Sequence, residues 1–543
     1  MFKKIFKQKA NSITIAAILV ATSSLFSRIL GIFRDRILAS EFGAGEQLDI
    51  YYAAFRVPDL LFNLVVLGAL SAGFIPIFSS LIKNFSDPKQ TSENEEAWHL
   101  ASNVLNFLSL LLLSFSLLGV IFTPELVSLI TPGFSQSAQE STVLLTRIMF
   151  LSPLFLGISG VLGGILQSFR RFLIYSLAPI FYNLGIIFGA LYFTDYLGLP
   201  GLAWGVVLGA FFHMAIQIPA VYSLGFKYYF KLNWKDAATF KIGKLMIPRT
   251  LSLAVTQLGL LVTTVIASGL SSGSLTIFNL ANNLQSFPVG IFGISFAIAA
   301  FPALSQYAHD KEKLESNFSS TIRQIFFFVV PATIFLITLR AQIIRVVLGA
   351  GQFNWQDTIL TMNSLALFSI SLFAQASIPL LIRVFYARQD SKTPFYLSLV
   401  TIIVNIILGV VLANRMGVIG LALAYSIANI LNFVLLWTFM HIKIGNLGIA
   451  KIANSTIKFS LSGIGAGLTI QLMKIVIAPL IDMTRFTGVL TQLVGASLAG
   501  ILVYLLLCYL FGSEELLTFI NSVRRKMNIK TNNLEDSSTA RSN

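Results

Sequence analysis

Four charged side chains interrupt the first long apolar stretch of the chain, which runs from 13 to 40. They are Arg28, Arg34, Asp35 and Arg36. An ionisable group near the centre of a bilayer costs about 2.5 kcal/mol or more, so such groups usually face a water-filled cavity or a polar ligand. If the stretch ends early, lipid headgroups can accommodate Arg36 and Asp35. Arg28 and Arg34 lie deeper in the stretch, and we expect both to face a polar interior.

The composition indicates an all-α polytopic membrane protein. Of the 543 residues, 55% are hydrophobic and only 11% are charged, whereas soluble domains carry about 25% charged residues. A single cysteine, Cys508, and four widely separated histidines predict no disulfide framework and no metal site. The net charge of +15 follows the loops between apolar segments, so it indicates membrane topology, and we expect neither nucleic-acid binding nor a cofactor.

The spacing of apolar segments predicts about fourteen transmembrane helices, since roughly 20 apolar residues cross the hydrocarbon core. The predicted spans are 13–40, 51–82, 98–122, 141–168, 173–193, 201–224, 246–270, 276–307, 320–348, 358–386, 394–413, 417–441, 452–478 and 488–511. Basic residues are concentrated in alternate loops, which the positive-inside rule assigns to the cytoplasm together with both termini. Three arginines, Arg340, Arg345 and Arg415, are exceptions to this pattern.

An internal repeat of about 220 to 228 residues divides the chain. Several small residues and prolines recur in the same order: Ala39, Ser40, Gly45, Ala54 and Pro76 match Ala267, Ser268, Gly273, Ala281 and Pro302. Six spans in each repeat predict two parallel six-helix lobes around a central cavity, an architecture that transporters use. The predicted boundaries are 1–240 for the first lobe, 241–445 for the second, 446–512 for two extra helices with a lipid-tail groove, and 513–543 for a cytoplasmic tail.

Amide side chains are concentrated on the seventh and eighth spans. They are Gln257, Asn279, Asn282, Asn283 and Gln285. Asn279, Asn282 and Asn283 share one helix face with Ser286, because residues three and four apart are neighbours on a helix. This face either lines a cavity, where it would bind sugar and peptide groups, or forms hydrogen bonds between helices, a common use of amides in membranes.

Catalytic and nucleotide-binding motifs are absent from the sequence. There is no Asp-x-Asp, no paired histidine and no phosphate-binding loop of the Gly-x-x-x-x-Gly-Lys-Ser/Thr type. An enzyme acting on a membrane lipid would need a carboxylate or metal site near the surface, so we predict a transporter rather than an enzyme. An exporter of drugs or of a polyprenyl-linked glycan, and a scaffold that has lost transport, remain open alternatives.

Several motifs resemble one known family. They are Ser27-Arg-Ile-Leu-Gly-Ile-Phe-Arg-Asp35, Phe42-Gly-Ala-Gly45, Ala54-Phe-Arg-Val-Pro58, Phe74-Ile-Pro76, Phe287-Pro288, Phe301-Pro302 and Phe385-Tyr-Ala-Arg-Gln-Asp-Ser-Lys-Thr-Pro394. Together they resemble the MurJ (MviN) lipid II flippases of the multidrug/oligosaccharidyl-lipid/polysaccharide exporter superfamily. The resemblance covers nearly the whole chain.

The resemblance implies a substrate, a location and a mechanism. The substrate would be an undecaprenyl-diphosphate-linked muropeptide, moved from the inner to the outer leaflet of the bacterial cytoplasmic membrane for cell-wall synthesis. Its partners would be membrane lipids and the cell-wall synthesis machinery. We expect the lobes to rock around a cationic cavity, driven by the membrane potential or a cation, since one charge crossing 100 mV releases about 2.3 kcal/mol.

The resemblance also carries over to single residues. Arg28 and Arg34 match two first-helix cavity arginines of the family, Asp35 matches the acid that follows them, and Asp49 matches the acid before the second helix. Two further family arginines are missing, at Phe62 or Asn63 and at Asn283, and Ser286 replaces an acidic companion. The cavity is therefore less cationic than the family pattern, with Arg56 and Arg249 as candidates to compensate. Asp59 and Asn63 are candidates to extend the cavity wall.

Overall fold

The computed structural model of the chain describes residues 13–67, 73–83 and 94–521. Within these ranges it does not describe the side chains of residues 13–21, 67, 248, 249, 251, 252 and 256. All regular elements in the described ranges are helical, as expected for an all-α membrane protein. Arg249, one of the two candidates to compensate for a missing arginine, lies outside the described side chains.

The helices follow one another with short connections. In chain order they are α1 (Ile13–Phe42), α2 (Glu46–Phe62), α3 (Ile75–Leu81), α4 (Glu95–Ile121), α5 (Thr123–Ile130), α6 (Gln136–Met149), α7 (Ser152–Ser168), α8 (Phe172–Phe188), α9 (Thr194–Leu197), α10 (Pro200–Ala215), α11 (Ile218–Tyr222), α12 (Ala237–Ser268), α13 (Ser274–Pro288), α14 (Ser295–Gln306), α15 (Lys311–Thr338), α16 (Arg340–Val347), α17 (Trp355–Ile370), α18 (Leu372–Ala387), α19 (Lys392–Met416), α20 (Val418–Ile444), α21 (Ile449–Ile477) and α22 (Phe486–Leu510).

Ten helical segments of the described residues are long and apolar enough to cross a membrane. The pair α17 and α18, bent by 45°, makes an eleventh if it counts as one span. Each of these segments corresponds to a predicted span. The other predicted spans, at 13–40, 51–82 and 246–270, run partly through residues that the structure does not fully describe. The chain is therefore a multi-pass membrane protein, and the count of fourteen spans stays a prediction.

The chain forms two compact units. Unit 1 comprises Met1–Leu280, Val347–Thr361 and Ile402–Ala424, and unit 2 comprises Ala281–Val346, Met362–Thr401 and Tyr425–Asn543. One end of unit 1 is filled by aromatic rings around Trp98, which stacks on Phe169 with the ring centroids 5.5 Å apart. In unit 2, the Tyr504 hydroxyl donates to the carbonyl of Phe327 at 2.7 Å and ties α22 to α15. The predicted lobe boundaries stay predictions.

Two pairs of equivalent elements recur at the spacing of the sequence repeat. A π-helical turn, Asn63–Leu67, follows α2, and another, Val289–Ile294, follows α13. These turns begin 226 residues apart, which is also the spacing between Pro76 and Pro302. A π-turn inserts an extra residue and redirects the helix that follows it. The repeat that the sequence predicts is thus also present in the local geometry.

The turns between α7 and α8 and between α18 and α19 are the second equivalent pair. Arg170 and Gln389 both adopt positive φ angles, of 58° and 60°, which side chains other than glycine seldom do. The next residue donates its N–H to a carbonyl five residues earlier in both turns, at 2.7 Å from Arg171 to Leu166 and at 3.0 Å from Asp390 to Phe385. The same helix-ending turn therefore occurs once in each repeat.

Glycine pairs bring α8 close to α10. A Cβ added at Gly185 would collide with Gly209, and one added at Gly189 would collide with Gly205. Small residues let membrane helices approach until their backbones touch. This contact fixes the position of α8, which carries a polar residue of the candidate site described below.

The C-terminal segment packs against unit 2 as far as it is described. Residues 514–521 are helical, and the buried carboxylate of Glu515 accepts hydrogen bonds from Arg323 at 2.5 Å and from Ser455 at 3.0 Å. The ring of Phe519 lies 5.6 Å from that of Phe328. The predicted amphipathic start of the tail is thus held by α15 and α21, and the rest of the predicted tail, 522–543, lies outside the described residues.

Candidate functional site

Arg34 lies at the centre of a polar group formed by α1 and α8. Its Nε and Nη2 atoms donate to Oδ1 of Asp35 at 3.0 and 2.7 Å, and its Nη1 donates to Oδ1 of Asn183 at 3.0 Å. The amide of Asn183 is in turn oriented by its donation to the carbonyl of Pro179 at 3.0 Å. A guanidinium has five N–H bonds, so these contacts position Arg34 and leave two N–H bonds for a ligand. Its side chain is 22% exposed.

The two other arginines of α1 differ from Arg34 in their surroundings. Arg28 is half-buried, and no hydrogen bond or ion pair joins it to another described residue. Arg36 donates from Nη1 to the carbonyl of Val347 at 3.3 Å. Whether Arg36 lies among headgroups while Arg28 and Arg34 face a polar interior stays a prediction. Arg36 holds a neighbouring backbone, whereas Arg28 keeps its donors for other groups.

Arg56 on α2 forms a second cationic group. Its Nε donates to Oγ1 of Thr264 at 2.9 Å, and its Nη2 donates to Oδ1 of Asn279 at 2.8 Å. The Nδ2 atom of Asn279 is committed to the carbonyl of Leu275 at 2.6 Å, which orients its oxygen toward the arginine. Helices α2, α12 and α13 thus meet at one guanidinium, three of whose five N–H bonds remain for a ligand.

Asp59, one turn after Arg56, lies within electrostatic range of that arginine and is hydrogen-bonded by the side chain of Gln257. Asn63 donates from Nδ2 to the carbonyl of Asp59 at 2.8 Å. Asp59 therefore balances part of the charge of Arg56. Gln257 and Asn63, both predicted as binding residues, are engaged in supporting this carboxylate and its helix.

Tyr52 links the two cationic groups. Its hydroxyl is buried with no hydrogen-bond partner among the described residues, and it lies within electrostatic range of Asp35, Arg34 and Arg56. A buried hydroxyl without a partner loses about 1–3 kcal/mol relative to a bonded one, so it indicates a missing polar partner such as a ligand. The site thus includes one hydroxyl whose hydrogen bonds remain available.

Asp49 closes one end of unit 1. Its carboxylate is buried and accepts hydrogen bonds from the N–H of Gly273, the N–H of Thr276 and the hydroxyl of Thr276, each at 2.7 Å. These donors belong to the first turn of α13, where unpaired N–H groups and the helix dipole favour a negative charge. Asp49 therefore caps α13 and holds it against the start of α2.

A second carboxylate strengthens the same end. Oδ2 of Asp357 accepts from the N–H of Ala44 at 3.3 Å, and the N–H of Gln352 donates to the carbonyl of Ser40 at 2.8 Å. Gly351 has a φ of +57°, and a Cβ there would collide with Ser40. These contacts join the α1–α2 turn to the turn before α17 through their backbones. All of these turns belong to loops that the charge pattern assigns to the outside.

The amides of unit 2 form a chain between helices. Gln285 donates from Nε2 to Asn282 and to Gln375, each at 3.0 Å. Gln375 donates to Ser371 at 2.8 Å, and Ser371 bonds Ser426 at 3.0 Å. Gln285 thus connects α13 to α18 and, through Ser371, to α20, whereas Asn282 bonds a residue of its own helix.

The remaining predicted residues of α13 are half-buried on one face. Asn279, Asn282, Asn283 and Ser286 share intermediate exposure, whereas Gln285 between them is buried. The hydroxyl of Ser286 donates to the carbonyl of Asn283 at 2.8 Å, so it bonds its own helix. This face presents amide and hydroxyl groups without formal charge.

Three residues of the arrangement were not predicted from the sequence. Asn183 could have been predicted, because it is the only amide side chain in the predicted span 173–193. Thr264 and Tyr52 are ordinary residues of membrane helices, and only the fold shows that they contact or approach Arg56. Among the described residues, no group of three or more histidine, cysteine, aspartate or glutamate side chains is arranged to hold a metal ion.

The arrangement suits recognition of a phosphate-bearing headgroup. Guanidinium groups bind phosphate oxygens in pairs through parallel N–H bonds, and two N–H bonds of Arg34 and three of Arg56 remain for this purpose. Asp35, Asn183, Thr264 and Asn279 fix the two side chains, which limits the conformational entropy lost on binding.

Comparison with known proteins places the chain in a family of transporters. The profile of the family described as "Lipid II flippase MurJ" matches residues 38–498. The chain is 31% identical over 432 residues to the probable lipid II flippase MurJ of Buchnera aphidicola subsp. Schizaphis graminum, which covers 78% of this chain and 82% of that protein. It is 30% identical to the Vibrio cholerae counterpart, with 82% and 85% covered.

Solved structures give the same result. The structure described as "Lipid II flippase MurJ, inward closed conformation" superposes with a TM-score of 0.74 at 26% identity, covering 91% of this chain and 98% of that one. An inward-facing multidrug transporter of the MATE family superposes with a TM-score of 0.61 at 15% identity, covering 80% and 99%, and shares the fold alone. From its sequence and its fold, this chain belongs to the lipid II flippase MurJ family.

Proposed function

We propose that this protein is a lipid II flippase, which moves lipid-linked peptidoglycan precursor from the inner to the outer leaflet by alternating access. The observation that supports this most directly is the pair Arg34 and Arg56. Both are held in place by neutral or acidic neighbours in a membrane-spanning unit, and both keep N–H bonds for an anion. A diphosphate carried through a membrane needs such donors.

The physical task is to replace the water that a polar headgroup loses in the bilayer. An amide or hydroxyl moved from water into an apolar medium without a partner costs about 4–8 kcal/mol, and a charged group costs far more. A polar cavity lowers this barrier while the lipid tail stays in the membrane. Arg34 and Arg56 bind the diphosphate in this proposal, and Arg28, which has no bonded partner among the described residues, joins them when substrate enters.

The uncharged face of α13 takes the rest of the headgroup. Asn279, Asn283 and Ser286 provide amide and hydroxyl groups for sugar hydroxyls and peptide amides. Asp35, Asn183 and Asp59 act on the substrate through the arginines that they position. Asp49 has all its strong bonds within the protein, so its role is to close the predicted outer end rather than to bind substrate.

The conformational cycle follows from that closure. The contacts of Asp49 and Asp357 keep the predicted outer end shut, as an inward-facing flippase requires. Release outside requires those contacts to break and the arginine–phosphate contacts to weaken. The membrane potential or a coupled cation supplies this energy in the proposal. The protein lies in the bacterial cytoplasmic membrane with both termini inside, and delivers its substrate to the cell-wall synthesis machinery.

Complementation tests the proposal most directly. A bacterium depleted of its own lipid II flippase would receive the wild type, Arg34→Ala, or Arg147→Ala. Arg147 is an exposed arginine of α6 that donates to the carbonyl of Val120, so it controls for the loss of one surface charge. We expect the wild type and Arg147→Ala to restore growth and Arg34→Ala to fail at equal membrane abundance. Growth with Arg34→Ala would contradict the proposed site while leaving the function intact.

Transport of another polyprenyl-linked glycan is the second candidate. The uncharged residues at Phe62, Asn283 and Ser286 favour it, because they make the site less cationic than the family pattern. Purified protein in vesicles would be given labelled lipid II or a labelled polyprenyl diphosphate that carries a peptide-free glycan. Flipping of the glycan alone would favour this candidate, and flipping of lipid II would favour the main proposal.

A further inference from the structure

Two cations stand at the C-terminal end of α15, on the membrane face opposite to Lys311 and Lys313. Because α15 is long and apolar enough to span the membrane, its two ends lie at opposite surfaces. Arg340 follows the last turn of α15, and Lys474 is in the last turn of α21. The positive-inside pattern leaves this face short of basic residues, so the presence of Arg340 and Lys474 here is unexplained by topology.

Arg340 and Lys474 each donate only one of their N–H groups to another described residue. Nη1 of Arg340 donates to the carbonyl of Ile337 at 3.4 Å, and Nζ of Lys474 donates to the carbonyl of Thr338 at 3.0 Å. Both therefore cap the C-terminus of α15, where a helix carries about half a negative charge. Two positive charges exceed that partial charge, and four N–H bonds of Arg340 and two of Lys474 are left.

No described carboxylate forms an ion pair with either cation. The ion pair between Arg485 and Asp482, in the neighbouring loop, is complete within itself at 3.1 Å. Arg340 and Lys474 lie within electrostatic range of each other, so they repel. Both side chains are half-buried, which reduces screening by solvent. An anion that contacts both cations would remove this repulsion.

Hydrogen bonds connect the helices that surround Arg340 and Lys474. Gln342, buried on α16, donates to Oε1 of Gln492 at 2.8 Å, and Gln492 donates to the carbonyl of Lys474 at 2.9 Å. Arg345 donates to the carbonyl of Met483 at 2.7 Å. These bonds connect α16, α21 and α22 around the two cations. They fix the backbone around Arg340 and Lys474, from which both side chains extend.

Exposed apolar side chains of α21 lead toward the same end. Leu468, Leu472 and Ile475 are 60% exposed or more, at helix spacings of four and three residues. They form one exposed apolar stripe that ends at the same level of α21 as Lys474 but on a different face of the helix. A ligand with its phosphate at the cations could place a hydrocarbon chain along α21 by reaching around the helix from Lys474 to this stripe.

We propose that Arg340 and Lys474 form a binding site for the phosphate group of an anionic lipid at this face of the membrane. The phosphate could come from a resident phospholipid or from the diphosphate of a transported lipid. The site is separate from Arg34 and Arg56 and does not depend on the proposed function.

Calorimetric titration of the purified full chain in neutral detergent tests the site. The probes are dihexanoylphosphatidylglycerol, farnesyl diphosphate and, as the zwitterionic control, dihexanoylphosphatidylcholine. Each cation near a membrane surface contributes about 1 kcal/mol to binding an anionic lipid, so we expect R340Q/K474Q to bind the preferred anionic probe about thirtyfold more weakly. Arg415→Gln, which removes an exposed arginine from the same predicted face, should bind like the wild type.

Two further measurements are needed, because the cations also cap α15 and R340Q/K474Q could be unstable for that reason. R340K/K474R preserves both charges, so it should retain most of the affinity for the anionic probe. In the wild type, affinity should fall as sodium chloride rises, since screening weakens exposed charge contacts. A stronger loss for phosphatidylglycerol identifies a phospholipid site, and a stronger loss for farnesyl diphosphate identifies a site for transported lipid. Equal affinity of R340Q/K474Q and wild type for both probes would overturn the proposal.

Discussion

Helices α2 and α13 occupy equivalent places in the two repeats but carry different chemistry. Arg56 and Asp59 of α2 are followed 226 residues later by Asn282 and Gln285 of α13. The first pair is charged, and Arg56 keeps donors for a ligand. The second pair is neutral: Asn282 accepts a hydrogen bond from Gln285 within α13, and Gln285 also donates to Gln375 and so connects α13 to α18. One repeat therefore presents charge where the other presents amides.

The difference in charge between α2 and α13 suggests how a protein can both bind and release an anionic headgroup. A site with charge on every wall would bind a diphosphate tightly and slow its release, because charge-assisted hydrogen bonds are about twice as strong as neutral ones. In the proposed function, the arginines bind the diphosphate, and the neutral amides of α13 contact sugars and peptide through weaker hydrogen bonds.

The largest effect is expected from removing charge on α2. Arg56→Gln should reduce transport of labelled lipid II in vesicles by about tenfold to a hundredfold, since a hydrogen bond to a charged group is worth about 1.5–3 kcal/mol. Asn282→Ala should reduce it far less, because Asn282 is engaged with Gln285. Equal losses in the two variants would remove the proposed difference between the repeats.

The next largest effect concerns Asp49, at the start of α2. Asp49→Asn keeps the shape but loses the charge that accepts from Gly273 and Thr276, so the closed end should open about tenfold more often. A cysteine placed at Gly45 in a chain with Cys508→Ser, and labelled with a membrane-impermeant maleimide, measures this opening. If the labelling rate is the same with and without the Asp49→Asn substitution, the carboxylate does not hold the closure.

A smaller effect is expected from adding charge to α13. N283R/S286E restores the charges that the family pattern has at these positions, and both side chains are half-buried on the face that we assign to the headgroup. Affinity for lipid II should rise a few-fold and turnover should fall, because release becomes slower. Substitution at Asn282 with arginine is the control, and it should lower thermal stability by breaking the bond to Gln285. A gain in both affinity and turnover would contradict the idea that neutral residues aid release.

The smallest effect is expected on the pH dependence of the melting temperature, which should differ between variants of the two equivalent turns after α7 and α18. Burial disfavours ionisation of Asp390, but hydrogen bonds from Lys443 and Thr393 outweigh it and lower its pKa to about 2 from 3.8. The stabilisation is present above pH 3.8 and is lost as the pH falls through about 2. The melting temperature of Lys443→Met should therefore lie below that of the wild type at pH 6 and approach it toward pH 2. In the described part of the chain, Nε and Nη1 of Arg171 have no hydrogen-bond partner, so Arg171→Met should not show this convergence.

Much of the fold follows from the sequence, because a membrane span needs a long apolar helix and hydropathy measures that requirement directly. The repeat was visible in small residues such as Gly45 and Gly273, since turns and close contacts restrict residue type. The site was only partly predictable. Arg34 and Arg56 are conspicuous as charges in apolar surroundings, but Arg34 bonds Asn183, 149 residues away, and no local pattern specifies that contact.

The contacts of the amides on α13 could not be predicted from the sequence either. Asn282 and Asn283 are adjacent and chemically alike, yet only the fold shows that Asn282 bonds Gln285, whose second acceptor, Gln375, lies 90 residues further along the chain. Asp49 was a candidate for substrate binding because it is acidic and precedes a span. The first turn of α13, 224 residues away, supplies its partners, and this gives it a structural role that the sequence could not show.

The closed end of unit 1 has a consequence for how such sequences diverge. One of its contacts joins two main-chain groups, those of Gln352 and Ser40, and two carboxylates receive main-chain N–H groups. Main-chain donors and acceptors are present whatever side chain occupies a position. The surrounding side chains are therefore free to drift while the closure keeps its geometry, provided that Gly273, Gly351 and the two carboxylates stay. A chain with many substitutions around this end can in this way keep the same closure.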